Sequence, residues 1–383
     1  MGRSLRFGFT TGASAAAAAK GAALMLRDQR RVESVELALP AGVSAIFALH
    51  GQRFDEQSAA CCVIKDAGDD PDVTNGCEVW AEVRLEPGGN PIERGELFPS
   101  VIITGGTGIG RVTKPGLAVP VGEWAINPVP YRMITEAVLE VLADHGSRIT
   151  DRACAPHSFL LTPHVTISIP DGEERARRTL NARLGIVGGL SILGTTGIVT
   201  PVSHQAWTDT IDAALDVALA TGCTRVVAST GRSSEQAAEK LLPLPEEAFI
   251  LMGDHVGHLA AACARRGIAE LVLAAQFAKL VKIACGHPQT HAAVVALDLA
   301  TLADWARAAG LDAVLIERLE WAHTARELYQ ELGSHHPLME LVAARVIDRL
   351  QEWAPGVRCG VLLAGYAGES AVTFGELFET RKP

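Results

Sequence analysis

The sequence predicts an α+β domain over residues 1–200 and an α/β domain with a small parallel sheet over 201–383. Three observations carry that expectation. An alanine-rich stretch near the start leads into short alternating segments separated by turn residues. Past residue 200, short apolar runs take turns with amphipathic stretches, the rhythm of strands joined by helices. The chain is also long enough for two cores, with 383 residues of which 48% are hydrophobic and 20% charged.

Ala13 to Leu26 holds Lys20 as its sole charge and has high helix propensity, with Thr11 or Ser14 as candidate caps. Ser34 to Leu39, Val43 to Leu49, Ala59 to Ile64 and Glu78 to Leu85 read as a meander of strands. Val101 to Thr104 is an apolar strand entering Gly106-x-Gly108-x-Gly110. A dinucleotide turn of that kind must open a helix. Lys114-Pro115-Gly116, and then Pro120, Pro128 and Pro130, argue against one.

A second glycine-rich turn, Gly188 to Pro201, precedes a helix over Gln205 to Thr221 with Trp207, Ile211, Leu215 and Ala218 on one face. Arg225 to Ser229, Ala248 to Met252 and Glu270 to Ala274 read as strands, with helices at Glu235 to Leu242 and Val256 to Arg266. Ligands of such sheets bind beyond the carboxyl ends of the strands, which points to Thr230-Gly231-Arg232, Gly253-Asp254-His255 and Gln276-Phe277. Helices over Leu299 to Ala309, Glu317 to Leu332 and Leu338 to Trp353, then a strand over Val357 to Ala364, complete the expectation.

A formal charge of −10 and the absence of any lysine-arginine run argue against nucleic-acid or membrane-surface binding. No apolar run approaches a membrane span and the first residues lack a signal core, so a cytoplasmic protein is expected. The eight cysteines show no C-x-x-C pair and mostly sit in apolar runs, as reduced core residues do.

The segment Val63 to Gly76 packs Asp66, Asp69, Asp70 and Asp72 with Lys65 and Asn75 between two strands. Mutual repulsion makes that density of acid costly unless water, backbone N–H groups or cations compensate it. A solvated turn explains such a loop as readily as a ligand site does. An EF-hand does not, because counting from Asp66 puts Pro71 at the sixth place and Cys77 at the twelfth.

These segments together resemble the cobalt-precorrin-5B C1-methyltransferases, the CbiD family. The resemblance rests on Gly8-Phe9-Thr10-Thr11-Gly12, Lys65 to Gly76, Gly108 to Leu117, Ala125-Ile126-Asn127-Pro128-Val129-Pro130, Ser191 to Val199, Met252-Gly253-Asp254, Lys279 to Ala284 and Thr290-His291. Two departures stand out: Ala13-Ser14 where the family usually has Thr-Cys, and Ala275-Gln276-Phe277-Ala278-Lys279 where it has Gly-x-x-Gly-Lys. A role for that cysteine thiol is therefore excluded here.

The resemblance implies S-adenosylmethionine as methyl donor, a cobalt-precorrin tetrapyrrole as substrate and partner, and a first domain related to a circularly permuted ribosomal S5 domain 2-like fold. Cobalt belongs to the substrate, and no protein-held metal is expected. His287 and His291 have i, i+4 spacing, but Pro288 counts against a shared helical face. A homo-oligomer is compatible with the resemblance.

Methyl transfer from a sulfonium is an in-line displacement that draws mostly on orientation and exclusion of water. Asp66, Asp69, Asp70, Asp72 and Asp254 are the candidates to balance the sulfonium or take a proton, each with turn or helix capping as its simpler use. Thr10, Thr11, Gly194, Thr195, Thr196, Gly231 and Gly253 are candidates to hold the donor, glycine by admitting close approach of backbone N–H groups. Helix capping and a tight turn are their alternatives.

The substrate's acetate and propionate arms call for cations in an acidic protein. Lys65, Arg111, Lys114, Arg132, Lys279 and Lys282 lie within the matched motifs or beside them, and Asn127 and His291 complete the set. Two other functions compete: a tetrapyrrole carrier that consumes no donor, and a nicotinamide-dependent reductase built on Gly106 to Gly110.

Overall fold

Of the candidate caps Thr10, Thr11 and Ser14, it is Thr10 that starts the first helix, because its extended backbone leaves its hydroxyl free to accept the Ala13 N–H at 3.2 Å. The computed structural model describes residues 5–87, 101–143, 161–201, 203–366 and 371–378, and the chain divides into two units, Met1–Ser203 and His204–Pro383.

Unit 1 runs β1 (Gly8–Phe9), α1 (Thr11–Asp28), β2 (Ser34–Ala38), β3 (Ser44–Ala48), β4 (His50–Phe54), β5 (Ser58–Ile64), β6 (Glu78–Pro87), β7 (Ile102–Gly105), β8 (Arg111–Val112), α2 (Pro128–Ala143), β9 (Leu161–Ser168), α3 (Gly172–Ala176), β10 (Ile186–Val187) and β11 (Ile198–Val199). Its main sheet has the order β4-β5-β6-β9-β7, antiparallel except for the parallel β7–β9 pair. Period-two alternation puts Cys61, Val63, Val79, Ala81, Val83, Val165 and Ile167 on one buried face. Against that face packs α1, whose alanines permit close approach on nearly every side. Each large side chain added by α2, such as Ile134 or Leu142, contributes about 1.5–3 kcal/mol by burial. The opposite face carries Glu78, Trp80, Glu82, Thr166 and Ser168 around a shallow cleft of about 350 Å³.

Two elements of this unit were not foreseen, α2 and β4. Pro128 and Pro130 do not exclude a helix: they occupy the first turn of α2, where a missing N–H leaves no acceptor unsatisfied. Strand β4 was not expected, because only Phe54 among its residues is strongly apolar. Gly106 to Gly110 opens no helix, since residues 107–127 hold only β8.

Unit 2 runs α4 (His204–Ala220), β12 (Arg225–Ser229), α5 (Arg232–Leu241), β13 (Phe249–Leu251), α6 (Val256–Arg266), β14 (Glu270–Ala275), α7 (Phe277–Ala284), α8 (Leu299–Ala308), α9 (Ala313–Trp321), α10 (Ala325–Leu332), α11 (Pro337–Trp353), β15 (Arg358–Leu363) and β16 (Val372–Phe374). The sheet order is β13-β12-β14-β15-β16, parallel through β15, with β16 antiparallel on the edge. Alternate residues of β12 face opposite ways: Val226 and Ala228 join the core shared with α6, α7 and α11, whereas Val227 joins Ala238 of α5 and Leu242 just beyond it.

The single helix expected over Glu317 to Leu332 is two, α9 and α10. Thr324 interrupts it by accepting the Glu327 N–H at 3.1 Å and capping α10. Trp207 does not join Ile211, Leu215 and Ala218 in the core; it is 44% exposed and stacks on His255. Seven cysteines are free thiols, six of them buried, and Cys154 lies outside the described residues.

Candidate functional site

Residues 186–199 form an extended spine to which the separate motifs of unit 1 attach in turn. β10 pairs with β8, the Leu190 N–H donates to Gly108 O at 2.8 Å, and the Gly110 N–H donates to Leu190 O at 2.9 Å. Asn127 N–H reaches Ile192 O at 2.9 Å, Gly12 N–H reaches Leu193 O at 3.0 Å, and Thr10 N–H reaches Gly197 O at 3.0 Å. Finally β11 pairs with β1. Gly194 sits at φ +127, and a Cβ there would overlap the Thr10 side chain.

The aspartate loop joins the same assembly through β1. Phe9 N–H donates to Asp66 O at 2.7 Å, so the two residues of β1 are held by the acidic loop on one side and by β11 on the other. The Asp66 and Gly194–Val199 segments thus lie on either side of Gly8 and Phe9, within unit 1. A Cβ at Gly8 would collide with the Ala67 backbone.

Asp66 and Asp72 are engaged in part by the loop itself. Asp66 pairs with Arg6 and accepts the Gly68 N–H at 2.9 Å; the Arg6 bond, then that N–H, hold its carboxyl below the usual carboxylate range. Burial pushes the Asp72 carboxyl up, but Lys65 at 2.5 Å and the Thr74 bonds outweigh it and leave it lowered. Lys65 is 2% exposed, which makes this a buried ion pair. Asp69 is exposed; one oxygen accepts the Arg6 N–H at 2.8 Å and the other has no hydrogen bond among the described residues. Asp70 is half-buried.

The donor-binding candidates of unit 1 have local work to do. Thr10 caps α1, and the Thr11 hydroxyl both donates to and accepts from Leu193. Thr195 and Thr196 are exposed. Among the cations, Arg111 lies exposed with its guanidinium over the Trp124 ring, 4.0 Å from the centroid. Lys114 donates to Arg183 O at 3.2 Å, and Arg132 is exposed beside Glu136. Asn127 is half-buried at the start of α2, its carbonyl accepting the Tyr131 N–H at 2.9 Å.

In unit 2 a second cluster forms beyond β13 and β14. Asp254 pairs with Lys279 and accepts the Thr290 hydroxyl at 2.6 Å, while Lys279 and Lys282 both donate to Thr290 O, at 3.1 and 3.2 Å. Burial pushes the Asp254 carboxyl up, but the Lys279 and Thr290 bonds outweigh it and lower it. Lys282 is 7% exposed; burial, then Lys279, lower its ammonium. Two ammonium groups thus face one carboxylate. His291 is exposed, and residues 285–298 are not helical, so it shares no helical face with His287. Gly253 lies beside Trp207, and burial, then His204, lower the His255 imidazole. No group of three or more His, Cys, Asp or Glu among the described residues is arranged to hold a metal ion.

Sequence reasoning missed Arg6, Leu193 as an anchor, and Thr290 as the joint between Asp254 and two lysines. Their partners are remote in sequence, so no local spacing signals them. His204 and Trp207 were readable only as helix residues.

The fold and the woven glycine-rich loops define a two-unit α/β-containing protein whose motifs serve one assembly in unit 1 and one cluster in unit 2. Residues 1–201 match the CbiD family model, and residues 289–373 match that of the CbiD C-terminal domain. The cobalt-precorrin-5B C(1)-methyltransferase of Geobacter metallireducens is 54% identical over 372 residues, 94% of this chain and 96% of that one. That of Citrifermentans bemidjiense is 54% identical over 96% of this chain and 98% of its own, and that of Priestia megaterium 40% over 93% and 92%. The crystal structure of a cobalamin biosynthesis protein, cbiD, from Archaeoglobus fulgidus is 27% identical and covers 73% of this chain and 79% of that one, at a TM-score of 0.37. The chain belongs to the CbiD family.

Proposed function

We propose that the protein transfers the methyl group of S-adenosylmethionine to C1 of cobalt-precorrin-5B, giving cobalt-precorrin-6A in cobalamin biosynthesis. The observation that carries this reading is 54% identity over 94% of the chain to a relative named for that reaction. The convergence of the motif loops on one spine in unit 1 supports it.

The side chains fit both reactants. A sulfonium and an amino-acid end call for carboxylates and backbone donors, and the open oxygen of Asp69 is the freest carboxylate group of the acidic loop. A polycarboxylate macrocycle calls for cations, which exposed Arg111 and the surplus ammonium of the Lys279–Lys282 pair supply. The donor, when bound, supplies the methyl group. In this reading an aspartate of the acidic loop, Asp66, Asp69, Asp70 or Asp72, or Asp254 in unit 2, balances positive charge or accepts a proton. Candidates to hold the donor are Thr10, Thr11, Gly194, Thr195 and Thr196 in unit 1 and Gly231 and Gly253 in unit 2. Candidates to receive or orient an arm of the macrocycle are Arg111, Lys114 and Asn127 in unit 1, with Lys65 acting from beneath the surface through Asp72, and Lys279, Lys282 and His291 in unit 2.

The same reading takes residues 1–200 and 201–383 as its two domains, the first related to a permuted S5 domain 2-like fold, in a cytoplasmic enzyme that binds neither nucleic acid nor membrane and is able to form homo-oligomers. No described helix is long and apolar enough to cross a membrane. Incubation of the purified protein with S-adenosylmethionine and cobalt-precorrin-5B tests it by mass spectrometry. A corrinoid one methyl heavier plus S-adenosylhomocysteine is expected; unchanged reactants overturn the reading.

A further inference from the structure

We infer that unit 2 carries a carboxylate-binding site where its sheet reverses direction, between the ends of β12 and β14, with the anion seated on the first turn of α5 above the Ser229 hydroxyl. The inference deepens the proposed methyl transfer and rests on it, because both proposed reactants carry carboxylates.

Topology supplies the place. From β12 the chain moves outward to β13, whereas from β14 it moves the other way to β15, so the connections part between β12 and β14. In open parallel sheets that parting leaves a crevice beyond the carboxyl ends of the strands. Here it lies between Gly231 to Ser233 and Gln276, whose side-chain amide approaches the Ser233 hydroxyl at 3.5 Å.

The helix end there is open. The Ser234 hydroxyl accepts the Gly231 N–H at 3.2 Å and donates to Gly231 O at 2.8 Å, but the N–H groups of Arg232, Ser233 and Ser234 have no acceptor among the described residues. By contrast, Thr10 and Leu193 fill the first turn of α1. The acid of the first turn of α5, Glu235, is buried and paired with Arg232 at 2.8 Å, so it does not leave a bare negative charge in the seat. Uncapped N–H groups at a helix start favour an anion. A Cβ built on Gly231 meets nothing within 4 Å, so there is room above them.

Ser229 supplies the independent observation. It is 0% exposed, and its hydroxyl has no hydrogen-bond partner. It ends β12 two residues after Val227, on the face that packs against α5, so the hydroxyl points beneath that helix's first turn. A buried hydroxyl is rarely left unpaired, and an anion held by the N–H groups above it would accept its proton in a hydrogen bond.

Calorimetry on the full chain tests the site, using S-adenosylhomocysteine, 5′-methylthioadenosine, which lacks the amino-acid carboxylate, and cobyrinic acid, a cobalt corrin polycarboxylate. Ser229→Ala removes the hydroxyl. Gly231→Val fills the seat, and the fold accepts it because φ −177 is ordinary extended backbone. If the donor's carboxylate binds there, both variants weaken S-adenosylhomocysteine by roughly tenfold and leave 5′-methylthioadenosine unchanged. If a macrocycle arm binds there, both weaken cobyrinic acid and spare S-adenosylhomocysteine. Thermal midpoints no lower than that of the parent protein exclude misfolding as the cause. Undiminished binding of both carboxylate ligands by both variants overturns the site while leaving methyl transfer standing. Failure of the parent protein to bind either ligand overturns the functional reading and the site with it.

Discussion

Thr11 and Leu193, 182 positions apart in the chain, bond in both directions: the Thr11 hydroxyl donates to Leu193 O at 3.2 Å and accepts the Leu193 N–H at 3.0 Å. Thr11→Val keeps the shape of the side chain and leaves that N–H unsatisfied in a part-buried place. The expected loss is about 1–3 kcal/mol in denaturant unfolding. Thr11→Ser, which retains the hydroxyl, should recover most of it.

Lys65 and Asp72 make the buried pair of the acidic loop. Lys65→Met leaves Asp72 part-buried with only its Thr74 bonds, at a cost of roughly 3 kcal/mol. The pH dependence has a definite sign. Because the folded Asp72 carboxyl lies below its unfolded value, its stabilisation is complete above about pH 4 and disappears as pH falls through the lower folded value. The stability difference between parent and Lys65→Met should therefore shrink on acidification below about pH 4. A constant difference from pH 7 to pH 2 contradicts the pairing.

Gly194→Ala places a Cβ against Thr10 at a positive φ. Strain and overlap together should cost about 1–3 kcal/mol. Since the neighbours of Thr10 include both the first turn of α1 and β11, amide exchange should quicken at Ala13 and Ser14 before it quickens in β6. Equal protection at all these amides would show that the spine does not govern the start of α1.

Lys282 is buried with the Thr290 carbonyl as its hydrogen-bond acceptor and a second ammonium nearby. Lys282→Met should be neutral or stabilising by about 1 kcal/mol, because an apolar side chain of similar length suits the site at least as well. Binding of cobyrinic acid should weaken in the same variant. A lowered thermal midpoint with unaltered binding would mark Lys282 as purely structural.

Strands β2 and β6 were legible in the sequence because alternating residues bury one face, and β5 because it is a short unbroken apolar run, buried from Ala59 to Val63. β4 was not, since Gly51, Gln52 and Arg53 carry no such alternation and the strand lies at a sheet edge. Helix α2 was hidden by two prolines that are harmless in a first turn. The composition of the acidic loop marked it, but its bonds did not show: Asp72 to Lys65 depends on how the turn closes, and Asp66 to Arg6 on a partner 60 positions away. The spine was least legible, because residues 186–199 have no periodicity and every partner they bind is distant. Ser229 read as an ordinary strand end until its hydroxyl could be checked for an acceptor.

The pairing of Gly8 with Val199 also sets a timetable. A nascent chain emerges at roughly 5–20 residues per second, so the amino end spends about ten to forty seconds outside the ribosome before the strand that fixes it has been made. Throughout that interval the first turn of an alanine-rich helix lacks its anchor, and the pairing that finishes unit 1 joins its first strand to its last.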